Sequence, residues 1–186
     1  MGLITSIFRN IDAIAENFFL VRRTPAGIKF FSAITWLGEW KALVILGILI
    51  IILFWLKNKK RFIRPFLAAV IGAEISGQII KAILHRPRPL HGVGMENTLS
   101  FPSGHALIAA AFYGFLIYYF WQSLESRAKK YAYLIAGLII ILAIGFSRLY
   151  LGVHYFSDVI GGYILGAIWL AVGIYIHQKN SKKEEL

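Results

Sequence analysis

The sequence predicts an all-α, polytopic membrane helix bundle of five spans, with a sixth span or an interfacial helix at its N-terminus. Three observations carry that prediction. Of the 186 residues, 58% are apolar and only 16% charged, whereas soluble domains run nearer half apolar and a quarter charged. The apolar residues form uncharged runs at 42–56, 106–121, 131–146 and 159–176 rather than stripes. With its flanks, each run reaches the roughly 20 residues that cross a hydrocarbon core of about 30 Å as a helix. A helix also satisfies its own backbone in lipid. The same composition excludes a disordered chain. The absence of cysteine excludes disulfides, thiolate zinc sites and a cysteine nucleophile.

The elements follow in order. Residues 1–40 are mixed: LITSIFRNIDAIAENFFL places Arg9, Asp12 and Glu16 in an apolar background, as in a helix lying in the membrane interface. Arg22-Arg23-Thr24-Pro25 interrupts the pattern, and a second short helix over about 27–38 dips into the membrane. The run 42–56 is the first clear span. The second, 62–84, carries Glu74, Gln78 and Lys81 at helical spacing on one face; polar groups within a span are expected to face the protein interior, with Glu74 and Gln78 as interhelical glue. Pro87 and Pro89 end that helix. The runs 106–121, 131–146 and 159–176 supply the remaining spans, the last with Gly162 and Gly166 spaced for close helix packing. The expected organisation is one integral-membrane domain over 1–186. It comprises interfacial or re-entrant helices over 1–40, a catalytic bundle over 41–177 and a cytoplasmic tail over 178–186.

Lys and Arg number 20 against 9 Asp and Glu, for a net charge of +11. Lys57, Lys59, Lys60, Arg61 and Arg64, then Arg127, Lys129 and Lys130, then Lys179, Lys182 and Lys183 fall on one side of the bundle. The positive-inside rule makes that side cytoplasmic, so the charge reads as topology and no nucleic-acid partner is expected. Loops 85–102 and 147–155 then share the outward face of the cell membrane.

Those two loops hold the chemistry. Lys81, Arg88 and Arg148 are cations at span ends on one face; converging, they repel one another unless an anion lies between them, and an Arg fork suits phosphate oxygens. Pro102-Ser103-Gly104 precedes a long helix, whose unpaired first amides attract an anion; capping is the simpler use of Ser103. His154 and Asp158 lie four apart, so the carboxylate can fix the imidazole tautomer and free the other nitrogen for attack or proton transfer. With His105 from another loop, one histidine can be nucleophile and the other general acid. Two histidines and an aspartate are also metal ligands, but three nearby cations oppose a divalent ion, and neither a metal nor another cofactor is expected.

Lys-x6-Arg-Pro (Lys81, Arg88, Pro89), Pro-Ser-Gly-His (102–105) and Ser-Arg-x5-His-x3-Asp (Ser147, Arg148, His154, Asp158) occur in that order. The set resembles the three-part signature of the type 2 phosphatidic acid phosphatase superfamily. The surrounding LSFPSGHA and SRLYLGVHYFSDVIGG are similar to its bacterial phosphatidylglycerophosphate and undecaprenyl-diphosphate phosphatase branch. The resemblance implies a metal-independent lipid phosphatase or diphosphatase. In it His154 forms a phosphohistidine, Asp158 orients its ring, and His105 protonates the leaving oxygen. Lys81, Arg88, Ser103, the Gly104 amide and Arg148 hold the phosphoryl group. Members usually have six spans, and the first is not evident here. His85, Arg86 and His91 are candidate headgroup contacts, Glu96 and Glu39 weaker ones, and His177 reads as an interface residue. The expected partners are a lipid phosphate and membrane lipids, with no obligate protein partner. A lipid A 1-phosphatase would use the same residues, and a non-catalytic transporter or scaffold is the alternative of another class.

Overall fold

A computed structural model describes residues 3–94 and 98–184. Among the described residues seven α-helices form in chain order: α1 (Leu3–Leu20), α2 (Pro25–Thr35), α3 (Trp40–Leu56), α4 (Ile63–Leu84), α5 (Gly104–Ser123), α6 (Arg127–Tyr150) and α7 (Phe156–Glu184). Short 3-10 turns at Trp36–Gly38 and Lys60–Phe62 lead into α3 and α4. Lys60–Leu84, Gly104–Ser123, Arg127–Tyr150 and Phe156–Ser181 are each long and apolar enough to cross a membrane. Pro25–Gly38 and Trp40–Leu56, bent by 44°, make a fifth crossing if they form one broken span. The short helix expected over 27–38 is thus α2 with its 3-10 turn. Thr24 caps it by accepting from the Gly27 amide at 3.1 Å, with Pro25 in the first turn. The last helix runs on to Glu184, through most of the stretch expected to be a tail.

The centre of the bundle is α5. Every residue from Ala106 to Phe115 is buried, because Ala106, Ala109, Ala110 and Ala111 let neighbouring helices approach on several sides. Large side chains fill the remaining space: Phe112 and Phe115 meet Phe66 of α4 edge to face, with ring centroids 5.3 and 5.6 Å apart. On the outside, Ile45, Ile48, Ile135, Ile139, Ile164 and Ile168 are exposed. A helix apolar all round is what a lipid-facing span requires.

Close packing of α7 on α5 depends on the paired glycines. A Cβ at Gly162 would lie 2.7 Å from the Ser103 carbonyl, and one at Gly166 would collide with the Leu107 carbonyl. Both obstacles are backbone, so neither can step aside. Gly166→Val is therefore expected to push the helices apart and destabilise the protein by about 1–3 kcal/mol, read as a lower unfolding temperature in detergent.

Two expectations about polar side chains are corrected. Glu74 and Gln78 face outward rather than into the bundle, and Gln78 Nε2 donates to Glu74 Oε1 at 2.7 Å within the same helix. An i,i+4 pair satisfies itself without a neighbouring helix, while the small Ala73 and Gly77 take the inward face. His177 is buried rather than interfacial: it stacks on Phe62 at 4.1 Å and lies 2.8 Å from the Tyr118 hydroxyl through Nδ1.

Candidate active site

The ends of α4 and α6, the starts of α5 and α7 and the loops between them meet at one end of the bundle. Helix α4 stops at His85, which takes a left-handed conformation (φ 47°) and donates its amide to Lys81 O at 3.1 Å; Pro87 and Pro89 prevent resumption. A backbone bond from Ser100 N to Arg86 O closes the long loop on itself, and one from Val93 N to Leu151 O ties it to the loop before α7, both at 2.8 Å. Gly152 sits at φ +65°, and a Cβ there would strike the Arg23 guanidinium, which donates to the carbonyls of Tyr150 and His91. Glycine answers both demands at that corner.

At the centre is His154, 3% exposed. Its Nδ1 faces Asp158 Oδ2 at 3.5 Å, and its Nε2 lies 3.1 Å from Arg88 Nη1. A guanidinium only donates, so Nε2 is the acceptor and the ring proton belongs on Nδ1, towards the carboxylate. Arg88 is itself fixed, giving Nε to Thr98 O at 2.8 Å, Nη2 to Thr98 Oγ1 at 2.7 Å and Nη1 to Val153 O at 2.7 Å. Burial lowers the His154 pKa to about 4; the hydrogen bond with Asp158 opposes that shift, and the positive charges of Arg88 and Arg148 add to it. The imidazole is thus neutral at physiological pH, with a lone pair on Nε2. The acidic limb that His154 contributes to kcat/KM is expected near pH 4 rather than 6.5, once the substrate's own ionisation is allowed for. The sign for stability is that the unfolded chain takes up this proton first, so the His154 contribution to stability falls as pH drops from about 6.5 towards 4.

Asp158 is fully buried and every direction around it is assigned. Oδ2 accepts from the Tyr155 amide at 2.9 Å and from the Ser100 hydroxyl, and Oδ1 accepts from Arg86 Nη1 at 2.6 Å. Its backbone carbonyl accepts from Ser103 N at 3.0 Å, which ties the start of α7 to the start of α5. The Ser103 side chain does not cap α5; its Oγ is buried without a hydrogen-bond partner among the described residues. A Cβ at Gly104 would meet nothing within 4 Å. A buried hydroxyl and helix-start amides beside open space suit an oxyanion.

The remaining site residues reach in from elsewhere. Lys81 Nζ donates to Leu99 O at 3.1 Å, and Arg148 Nη1 to Thr35 Oγ1 of α2 at 2.9 Å. His105 Nε2 lies 3.5 Å from Glu39 Oε2, in the break between the 3-10 turn and α3. The preceding Gly38 leaves room for the ring: a Cβ there would be 3.1 Å from His105 Cδ2. Of the candidate headgroup contacts, His85 is exposed at the helix end, and His91 is exposed beside Glu16 at 3.5 Å. Arg86 is committed to Asp158, Ser157 and Asp12. Glu96 lies outside the described residues.

The profile of the PAP2 superfamily matches residues 38–182. The chain belongs to the PAP2 superfamily. It is similar to phosphatidylglycerophosphatase B of Bacillus subtilis, with 35% identity over 84% of this chain and 78% of that one. It is also similar to an undecaprenyl-diphosphatase of Sulfolobus acidocaldarius, with 30% identity over 65% of this chain and 57% of that protein. Among solved structures, it superposes on a transmembrane PAP2-type phosphatidylglycerolphosphate phosphatase from Bacillus subtilis with a TM-score of 0.84 and 27% identity, covering 96% of this chain and 88% of that one. This PAP2 chain is an integral membrane lipid phosphatase.

Thr35, Thr98, Ser100, Ser157 and Asp12 hold site residues yet did not stand out in the sequence. Ser100 had a signal, since it lies in the LSFPSGHA segment. Asp12 had another, a carboxylate on an otherwise membrane-seeking helix.

Proposed function

We propose that this phosphatase removes the terminal phosphate of a lipid phosphomonoester or diphosphate, of the phosphatidylglycerophosphate or undecaprenyl diphosphate type. The reaction is metal-independent and proceeds through a phosphohistidine at His154. The observation that carries the reading is the placement of His154 Nε2, which faces the Arg88 guanidinium while a buried carboxylate stands at Nδ1.

The steps follow from that placement. A phosphate entering beside Arg88 takes over the hydrogen bond that Arg88 Nη1 gives Nε2, releasing the lone pair. Nε2 attacks phosphorus, the bond from phosphorus to the lipid oxygen breaks, and that oxygen takes the proton of His105. Positive charge developing on His154 is stabilised by Asp158. Water then attacks phosphorus and gives a proton to His105; the bond between Nε2 and phosphorus breaks and phosphate leaves. Lys81, Arg88, Arg148, Ser103 Oγ and the Gly104 amide stabilise the phosphoryl oxygens throughout, the role that falls elsewhere to metal ions. The cationic loops and tail at the far end orient the site to the periplasmic or extracellular face, and the lipid tail stays between helices.

The test is a panel of phosphatidylglycerophosphate, undecaprenyl diphosphate, phosphatidic acid and lipid A 1-phosphate, each with and without EDTA. Phosphate release is expected to survive EDTA and to be blocked by vanadate. Activity lost to EDTA and restored by a divalent ion contradicts the metal-free mechanism, and the preferred lipid decides the substrate.

A further inference from the structure

Helix α1 turns large apolar side chains outward while burying a carboxylate. Phe8, Ile11, Ile14 and Phe18 are exposed, while Asp12 is only 4% exposed. An apolar face turned outward suits a helix against lipid. A carboxylate turned inward needs a partner, because an unpaired buried charge is costly. Asp12 has three: its Oδ1 accepts from Ser157 N at 2.8 Å, and its Oδ2 accepts from Ser157 Oγ and from Arg86 Nη2, both at 2.7 Å. The same guanidinium donates Nη1 to Asp158 Oδ1 at 2.6 Å and lies over the Tyr155 ring at 4.3 Å from its centroid. One cation therefore bridges two buried carboxylates, one on the N-terminal helix and one beside His154.

We infer that Asp12 and Arg86 are positioning residues for the reaction, acting through Asp158, so that helix α1 is part of the catalytic apparatus. The inference rests on the role proposed above for His154 and Asp158. Arg86 occupies Oδ1 of Asp158, which leaves Oδ2 turned to the imidazole. It also sets one positive charge against both buried carboxylates, and removing it would leave each of them buried without that counter-charge. Asp12 holds the other end of the fork, and through Ser157 it fixes the first turn of α7, from which Asp158 projects.

The experiment is a double-mutant cycle on the full chain in detergent, with kcat expressed per folded molecule. Asp12→Asn is expected to lower kcat by about 10- to 100-fold, the range that outer partners of active-site imidazoles contribute, with KM changed less than about three-fold. Arg86→Met costs at least as much, and Arg86→Lys and Asp12→Glu recover part of the loss. In an Asp158→Asn background, Asp12→Asn has little further effect, because its route to the chemistry is already cut. Ser157→Ala, which removes one hydroxyl and no charge, gives a smaller fall in kcat and keeps the inference testable should Asp12→Asn fold poorly. A kcat per folded molecule that stays at the wild-type value in Asp12→Asn and Ser157→Ala overturns the inference. So does an Asp12→Asn loss of equal size in the Asp158→Asn background. His154→Ala is run alongside: if it retains turnover, the underlying mechanism fails; if it is inactive while the Asp12 and Arg86 variants are normal, only this inference fails.

Discussion

Replacing His154 by alanine is expected to remove turnover, lowering kcat by about 10⁴-fold or more as loss of a covalent nucleophile does. No group within the described site can take its place. Asp158 is saturated by Arg86, Ser100 and the Tyr155 amide. His105 stands beside Glu39 instead, on the leaving-group side of the proposed reaction. In the proposed reaction Lys81, Arg88 and Arg148 hold the phosphoryl oxygens rather than attack phosphorus. The variant should still bind vanadate and lipid, because the cage is untouched, so KM-like binding measured by equilibrium methods changes little while turnover vanishes. Binding and single-turnover phosphate release from the same preparation check both halves. A variant retaining more than about a hundredth of wild-type kcat would place the nucleophile elsewhere.

His105→Ala is expected to have the next largest effect, about 10²- to 10⁴-fold in kcat with a lipid substrate, the range of a general acid. A lipid alkoxide or phosphate leaves poorly without a proton. A nitrophenolate leaves well without one. The loss in the first step should therefore shrink strongly with p-nitrophenyl phosphate, leaving slow hydrolysis of the phosphoenzyme and a burst of nitrophenol. An equal loss with both substrates, and no burst, would assign His105 to holding the phosphate rather than to proton transfer. Glu39 Oε2 stands 3.5 Å from Nε2, a pairing the sequence does not show because the two residues lie far apart in the chain, with Glu39 at a helix break.

What was legible in the sequence and what was not divides along a physical line. Uncharged runs identify spans because lipid imposes one requirement on every residue of a span, and α3, α5, α6 and α7 coincide with those runs. The Gly162–Gly166 pair was readable because only steric closeness needs two glycines four apart, and both meet α5 backbone. Partners were not readable. Periodicity places Glu74 and Gln78 on one face of α4 but does not say that they satisfy each other and turn outward. Arg86 looked like a loop cation open to a headgroup, and its bond to Asp12, 74 positions earlier in the chain, has no local trace. Residues 1–40 were ambiguous for the same reason. The polar groups of α1 make sense only once α7 lies against them, and α2 contributes Thr35 to Arg148 only after the chain bends by 44° into α3. Motifs carried the reacting groups; the groups that hold them came from tertiary structure.

The central claim is that phosphate passes through a covalent bond to His154, and the stereochemistry at phosphorus tests it most directly. Each in-line displacement inverts configuration, so two successive displacements restore it. Hydrolysis of a substrate whose terminal phosphoryl group is made chiral with oxygen isotopes should therefore release phosphate with net retention. Net inversion would mean that water attacks the lipid phosphate in a single step, with His154 acting only as a base, and would contradict the account.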